Sequence, residues 1–281
     1  TRKNDGGWSK PEQLEKPINT KDHDACIGIS PDGKLLFVYK DSGGGDIFVS
    51  EIQGNNPKKW SKPEPLKGEV NTDYWEGSAS MSPDSKLLYF SSDQEGGYGG
   101  SDIYVSELQA DGSWGNPRNL GPIINTPYDE DAPQIHSDGK TLFFSSRGHD
   151  GMGGYDIFST VKDPATRQWS KPRNIGYPVN SANEDIYFSL TADGAKGYFS
   201  SYRFDSYGEK DIYVLHRPLS SPTLFLFKGT VRNKETLEPI AATITLTNKE
   251  TNKVDTVVTS DILSGRYSFN MEFDNQYNLK V

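Results

Sequence analysis

Four tryptophans impose the strongest constraint on the fold. Trp8, Trp60, Trp114 and Trp169 each open a W-x-x-P element, at intervals of 52, 54 and 55 residues. The loop asparagines Asn19, Asn71, Asn125 and Asn180 keep the same spacing, and so do the turn aspartates Asp32, Asp84, Asp138 and Asp193. A second aspartate, ahead of an I-[FY] pair, recurs at Asp46, Asp102, Asp156 and Asp211. Self-similarity at such a period means a radial or solenoid array. No repeat carries apolar residues at i, i+3, i+4 and i+7 over three turns, which excludes a helical solenoid.

One repeat predicts four strands. In the third, Ala132 to His136 leads into Ser137-Asp138-Gly139 and then into Thr141 to Ser146, a run rich in the aromatic and β-branched residues that suit a pleated surface. The related turn Ser30-Pro31-Asp32-Gly33 has its own mechanism: Pro presets φ, Asp caps locally and Gly accepts φ > 0. After a glycine-rich loop, Asp156 to Val161 supplies a third strand and Trp169 to Ile175 a fourth. Pro172 lacks an N–H, so the fourth strand belongs on the sheet edge. Four short antiparallel strands with the proline strand outermost make a β-propeller blade.

The chain is long enough, at 281 residues, for a ring of blades and one small module. A hydrophobic fraction of 33% is low, but 12% aromatics and 28 glycines fit thin sheets with tight turns and argue against disorder. A net charge of −9 with no clustered basic face excludes nucleic acid as a partner. Cys26 is the single cysteine, so no internal disulfide can form. No apolar run is long enough for a transmembrane helix. Thr1 opens inside the repeat pattern, with no initiator Met or signal peptide, as expected of a processed or trimmed segment.

By phase, Trp8 to Pro11 is an outermost strand with no inner strands ahead of it, whereas the last repeat ends near Arg217 without a W-x-x-P strand. Closure of the fourth blade by the N-terminal strand is one expectation. The competing one is a further blade upstream, finished by Trp8. The propeller is thus expected over residues 1–217, with a linker at 218–222 and a small β-sandwich over 223–281. Its strands are expected at Phe225 to Val231, Thr243 to Thr247, Lys253 to Thr259 and Tyr267 to Met271, with a strand or two missing.

Two sets of residues are candidates for function. Five residues after each repeat's Asn stands an acid, namely Asp24, Glu76, Glu130 and Asp185, with Asp22, Asp73, Asp129, Asp131 and Glu184 nearby. One reading has them accept backbone N–H groups at the blade start; the other has them converge on a hard cation such as Ca²⁺ at the channel mouth. The second set breaks the repeat: Tyr74, Trp75, Tyr98, Tyr128, His149, Met152, Arg203, Phe204 and Tyr207 all fall in loops expected on one face, a recognition surface of aromatic anchors. Neither H-E-x-x-H nor G-x-S-x-G occurs, so a non-enzymatic role is expected. The alternative is a glycan-binding or glycan-hydrolysing, sialidase-like propeller using a pair of mouth carboxylates.

The S-P-D-G-K and G-G-x-D-I-Y signatures, together with I-N-T-P-Y-D-E-D-A-P at Ile124 to Pro133, resemble the TolB-type propeller repeats of Gram-negative envelope proteins. Lys228-Gly229-Thr230-Val231, Glu238-Pro239-Ile240 and Ser264-Gly265-Arg266-Tyr267 resemble a carboxypeptidase regulatory-like β-sandwich. The pair in this order is similar to the PorE-like, OmpA-family peptidoglycan-associated proteins. That resemblance implies a periplasmic, outer-membrane-associated scaffold, binding outer-membrane or periplasmic proteins and tethering an envelope complex, of the type IX secretion kind, to peptidoglycan. It implies no cofactor. The helical and OmpA-like domains of such proteins are absent from this sequence, so peptidoglycan would be reached only through a domain outside it. Related propellers often have five or six blades, which favours a blade upstream of Trp8.

Overall fold

The structure is a computed structural model and describes residues 7–14, 16–41, 44–54, 56, 59–216, 224–272 and 276–281. The expected linker at 218–222 lies outside the described residues. Twenty strands and no helix are present among them.

Three successive four-stranded antiparallel sheets have the simple order of a meander: β1 (Asp24–Ile29) to β4 (Glu64–Pro65), β5 (Glu76–Met81) to β8 (Trp114–Asn119), and β9 (Glu130–Ile135) to β12 (Arg173–Asn174). The fourth sheet holds β13 (Asp185–Leu190), β14 (Lys196–Ser201) and β15 (Asp211–His216). These are propeller blades. The outer strand is continuous in the second blade, but in the first and third it shrinks to a two-residue strand plus a bridge at Trp60 or Trp169. Proline in each of these segments removes a ladder donor, which keeps them on the edge.

The turn between the first two strands of a blade is locked by its own side chains. Ser82 Oγ donates to Asp84 Oδ1 at 2.6 Å and accepts from Leu87 N at 2.9 Å, and Ser30 and Asp32 repeat the arrangement. The left-handed position is Gly33, Gly139 and Gly194 in three repeats; in the second it is Ser85, at φ 61°. Each inner strand also carries a β-bulge, with positive φ at Ala132 and Tyr187.

Adjacent blades meet through apolar faces, with Phe37 and Ile47 against Ala79 and Phe90, Tyr89 and Ile103 against Ile135 and Phe144, and Phe143 and Ile157 against Phe188 and Phe199. The recurrent asparagine ties each junction. Asn125 Oδ1 accepts Ile103 N at 2.9 Å and its Nδ2 donates to Ile103 O at 3.0 Å; Asn71 does the same with Ile47, and Asn180 with Ile157. The amide thus imitates a strand neighbour for a backbone that would otherwise be buried unpaired.

The fourth junction differs. The Trp8 ring lies edge-on to Tyr198 of β14 at 6.3 Å, so the N-terminal segment reaches the fourth sheet, while Leu14 and Ile18 pack on the first sheet with Leu36 and Val38. Yet Asn19 donates to Leu14 O instead of clamping the fourth sheet. Ile47, Ile103 and Ile157 are each 0% exposed, whereas their equivalent Ile212 is 79% exposed. The segment from Trp8 to Ile18 therefore bridges the two ends without reproducing the interior junction.

The last strands are β16 (Leu224–Thr230), β17 (Thr243–Asn248), β18 (Val254–Thr259), β19 (Arg266–Glu272) and β20 (Tyr277–Lys280). They form two sheets, β16-β19 and β18-β17-β20, around Ile244, Leu246 and Phe269. Tyr277–Lys280 forms a further strand beyond the four expected from the sequence pattern.

Candidate partner-binding face

The loops that enter each blade and the glycine-rich loops between second and third strands share one face. Glu76 N donates to Gly45 O, Glu130 N to Ser101 O and Asp185 N to Tyr155 O, all at 2.8 Å, so each glycine-rich loop lies on the loop entering the following blade. The approach needs glycine. A Cβ on Gly99 would stand 2.1 Å from Tyr128 O, and one on Gly153 would stand 2.2 Å from Asn183 O. The aspartates ahead of the third strands brace these loops: Asp102 accepts Tyr98 N and Asp211 accepts Tyr207 N, both at 2.6 Å.

The four strand-start acids stay separate, each taken up by its own blade. Glu130 accepts Thr126 N at 2.6 Å, Thr126 Oγ1 at 2.7 Å and Ser146 Oγ at 2.6 Å. Glu76 has the same partners in Thr72 and Ser92. Asp185 accepts Ser181 N at 2.7 Å, Ser201 Oγ and Arg203 Nη2 at 3.0 Å. Asp24 accepts Thr20 N at 2.6 Å and pairs with Lys40, which stands where the other blades have serine. Burial pushes the Glu76 and Glu130 carboxyls above the ordinary range, against the pull of these donors. At Asp24 burial also pushes upward, but Lys40 and Thr20 outweigh it and hold the carboxyl low. Among the described residues no group of three or more His, Cys, Asp or Glu is placed to hold a metal ion.

The repeat-breaking residues divide into two kinds. Tyr74, Tyr98, Tyr128, Met152, Phe204 and Tyr207 are exposed. Trp75, His149 and Arg203 turn inward. The Trp75 ring fills the space where a Gly77 side chain would stand, with 1.7 Å between a built Cβ and the ring. His149 Nε2 lies 2.8 Å from Ile124 O, and its ring meets Phe144 and Phe158. Arg203 donates to Pro178 O at 3.0 Å and Val179 O at 2.5 Å, and its guanidinium lies over Phe199 and Tyr213. Their pattern-breaking character in the sequence was genuine, but it reflects packing, since a long polar tip and a buried aromatic body look the same in a string of letters.

Charge is concentrated on this face. The loops over residues 19–23, 41–45, 71–75, 93–101, 125–129, 147–155, 180–184 and 202–210 contain ten Asp or Glu against four Lys or Arg, which is −6 of the chain's −9. Arg147 and Lys210 are themselves paired with Glu184, the lysine at 2.8 Å. What remains for a ligand is mostly negative and aromatic.

Asp131 breaks the repeat at a position held elsewhere by Ala25, Gly77 and Ile186. It is buried and accepts Ser78 Oγ and Ser91 Oγ, each at 2.7 Å, joining the second blade to the third. Ser145, the equivalent of Ser91 one blade on, meets no carboxylate there, and its hydroxyl is buried without a partner. Between the inner strands lies an open cavity of about 360 Å³, lined by Cys26, Ser78, Ala132, Gln134, Tyr187 and Phe188 among others.

The class defined by these elements is a β-propeller of repeated four-stranded blades followed by a small two-sheet unit. No protein-family model matches the sequence, and no curated protein matches it. Among solved structures the chain is similar to TolB from Acinetobacter baumannii, at 13% identity over 94% of this chain and 57% of that one, with a TM-score of 0.44. It is also similar to an endo-arabinase from Bacteroides thetaiotaomicron, at 11% identity over 93% of this chain and 98% of that one, with a TM-score of 0.49. A third is the periplasmic gluconolactonase of Pseudomonas aeruginosa, at 12% identity over 91% of this chain and 87% of that one, with a TM-score of 0.40. The chain thus spans just over half the length of TolB.

Proposed function

We propose that this chain is a non-catalytic protein-interaction scaffold of the periplasm, associated with the outer membrane. It belongs to a protein that tethers an envelope complex, of the type IX secretion kind, to peptidoglycan through a domain outside these residues. One observation carries the reading: six large repeat-breaking side chains, Tyr74, Tyr98, Tyr128, Met152, Phe204 and Tyr207, stand exposed on a single face braced by backbone hydrogen bonds. Exposed aromatic anchors on a rigid base are the means by which protein interfaces gain most of their energy. The compartment and the complex rest on the resemblance of the repeat motifs to envelope proteins. Against catalysis, the strand-start carboxylates are occupied by their own blades' hydroxyl and amide donors, so an acid or base role would first have to break those bonds.

A second reading has one observation in its favour. The cavity between inner strands places the exposed Tyr187 ring beside Ser78 and Gln134, a combination that suits a sugar ring. Capture from envelope extract separates the two. The intact chain should retain an outer-membrane or periplasmic protein that a Tyr74→Ala/Tyr128→Ala variant loses. Release of reducing sugar from cell-wall glycans by the pure chain, abolished by Glu130→Gln, would replace the scaffold reading with the enzymatic one.

A further inference from the structure

We propose that the loops at residues 71–75, 93–101 and 125–129 form one surface that takes up arginine side chains of a partner protein's basic segment, between the rings of Tyr74, Tyr98 and Tyr128 and the carboxylates of Asp73, Asp93 and Glu95. The inference rests on the scaffold reading and names the place and the chemistry of its contact. All three loops sit where one described blade meets the next. Asp93 N donates to Trp75 O at 3.2 Å, Trp75 N to Asp93 Oδ1 at 2.7 Å, and Gly100 N to Tyr128 O at 3.0 Å, so the loops are tied to one another. The tyrosines are braced as well. Tyr74 N donates to Thr72 Oγ1 at 3.0 Å, Tyr98 N to Asp102 Oδ2 at 2.6 Å and Tyr128 N to Thr126 Oγ1 at 3.2 Å. Their rings stay exposed, Tyr98 by 49% and Tyr128 by 62%, on a backbone that binding need not order further.

Charge selects the occupant. The three loops carry Asp73, Asp93, Glu95 and Asp129 and no Lys or Arg. Asp129 has Arg147 at 3.8 Å, whereas Asp73, Asp93 and Glu95 are exposed and, among the described residues, pair with no Lys or Arg. The Glu95 carboxylate is hydrogen-bonded to the Tyr74 hydroxyl and holds that phenol above its ordinary range, so ring and acid stand together.

The following junction shows what such a surface accepts. There the Arg147 guanidinium lies 4.4 Å from the centre of the Tyr155 ring and pairs with Glu184. By repeat phase Arg147 corresponds to Asp93 and Glu184 to Asp129, so the earlier junction keeps the acid and has the opposite charge where the guanidinium would start. The chain supplies its own cation at one junction and leaves rings and carboxylates without one at the other. Arginine suits both, because its planar head stacks on a phenol ring and presents paired N–H donors to a carboxylate. An anionic lipid surface or a second copy of this acidic face would be repelled by the same charges.

The test measures, by fluorescence anisotropy, binding of a short labelled peptide of alternating Arg and Ser to the full chain, beside the same peptide with citrulline for arginine, which keeps the shape and removes the charge. Expected are saturable binding of the arginine peptide, none of the citrulline peptide, and losses of roughly tenfold for Tyr98→Ala/Tyr128→Ala and for Asp73→Asn/Glu95→Gln, each at unchanged Tm. Glu235→Gln/Glu250→Gln/Asp255→Asn, which neutralises exposed acids of the two-sheet unit, should bind as the intact chain does. An equal loss in that variant would mean attraction by net charge alone and overturns the proposal. Binding that survives either loop variant, or a preference for soluble cell-wall glycan fragments over the arginine peptide, also overturns it. If the arginine peptide does not bind while an envelope protein held by the intact chain is lost by Tyr74→Ala/Tyr128→Ala, the scaffold reading stands and this inference fails; if that variant keeps the envelope protein too, both fail.

Discussion

Replacing one repeated asparagine at a time should give three large effects and one small one. Asn125→Ala removes both the acceptor for Ile103 N and the donor to Ile103 O, in a site where Asn125 is 2% exposed and Ile103 fully buried. Two buried backbone groups left unpaired cost about 1–3 kcal/mol each. For a chain of this size each kcal/mol lowers Tm by about 2–4 °C, so a drop of roughly 10 °C is expected. Asn71→Ala and Asn180→Ala remove the same pair of bonds from Ile47 and Ile157 and should behave alike. Asn19 occupies the same sequence position but among the described residues its side chain reaches the nearby Leu14 O and no strand of the fourth sheet, so Asn19→Ala should cost about 1 kcal/mol at most, in line with a local hydrogen bond. Circular dichroism melts of the four purified variants at one protein concentration decide the matter. Four equal drops would refute the asymmetry and show that the first and fourth sheets join as the interior ones do.

Other expectations concern the acids and the glycines. Because burial raises the Glu130 pKa above its ordinary 4.5, the protonated form is the one favoured by folding, and stability from this group is full at low pH and lost as pH rises through the folded pKa. The Tm gap between the wild type and Glu130→Gln should therefore narrow from pH 4 to pH 8; a widening gap would mean that the hydrogen bonds outweigh burial. Chelation should leave Tm unchanged, since each strand-start acid is satisfied within its blade, and a fall of several degrees restored by Ca²⁺ would show that the acids hold a cation. Gly77→Ala should expel the Trp75 ring, seen as a red-shifted tryptophan emission with about 1–3 kcal/mol of lost stability from overpacking; an unshifted spectrum with unchanged Tm would count against the packing described.

Much of the blade was legible because its signals are local. The S-P-D-G turn, the aromatic second strand and the D-I-[FY] third strand are determined by side chains within a few residues, so Thr141–Ser146 and Asp156–Val161 fall where the pattern puts them. The recurrence of Asn125 was visible as well, but its role was not, because its partner Ile103 lies 22 residues away in the preceding blade. For the same reason the sequence could not separate Arg203 and His149, whose polar tips reach distant carbonyls, from Phe204 and Tyr207, which stand exposed. In the sequence Asp131 looks like one more mouth carboxylate; the serines that engage it, Ser78 and Ser91, belong to the neighbouring blade, where periodicity gives no hint of contact.

The most direct measurement of the binding role is hydroxyl-radical footprinting of the chain, alone and in the complex that co-purifies with it from envelope extract. Protection is predicted at Tyr74, Tyr98, Tyr128, Met152, Phe204 and Tyr207, with the turns at Pro31, Pro83 and Asp138 on the opposite side labelled equally in both states. Protection confined to those turns or to the inner-strand residues around Tyr187, or the absence of any co-purifying protein, would contradict a scaffold that binds through its loop face.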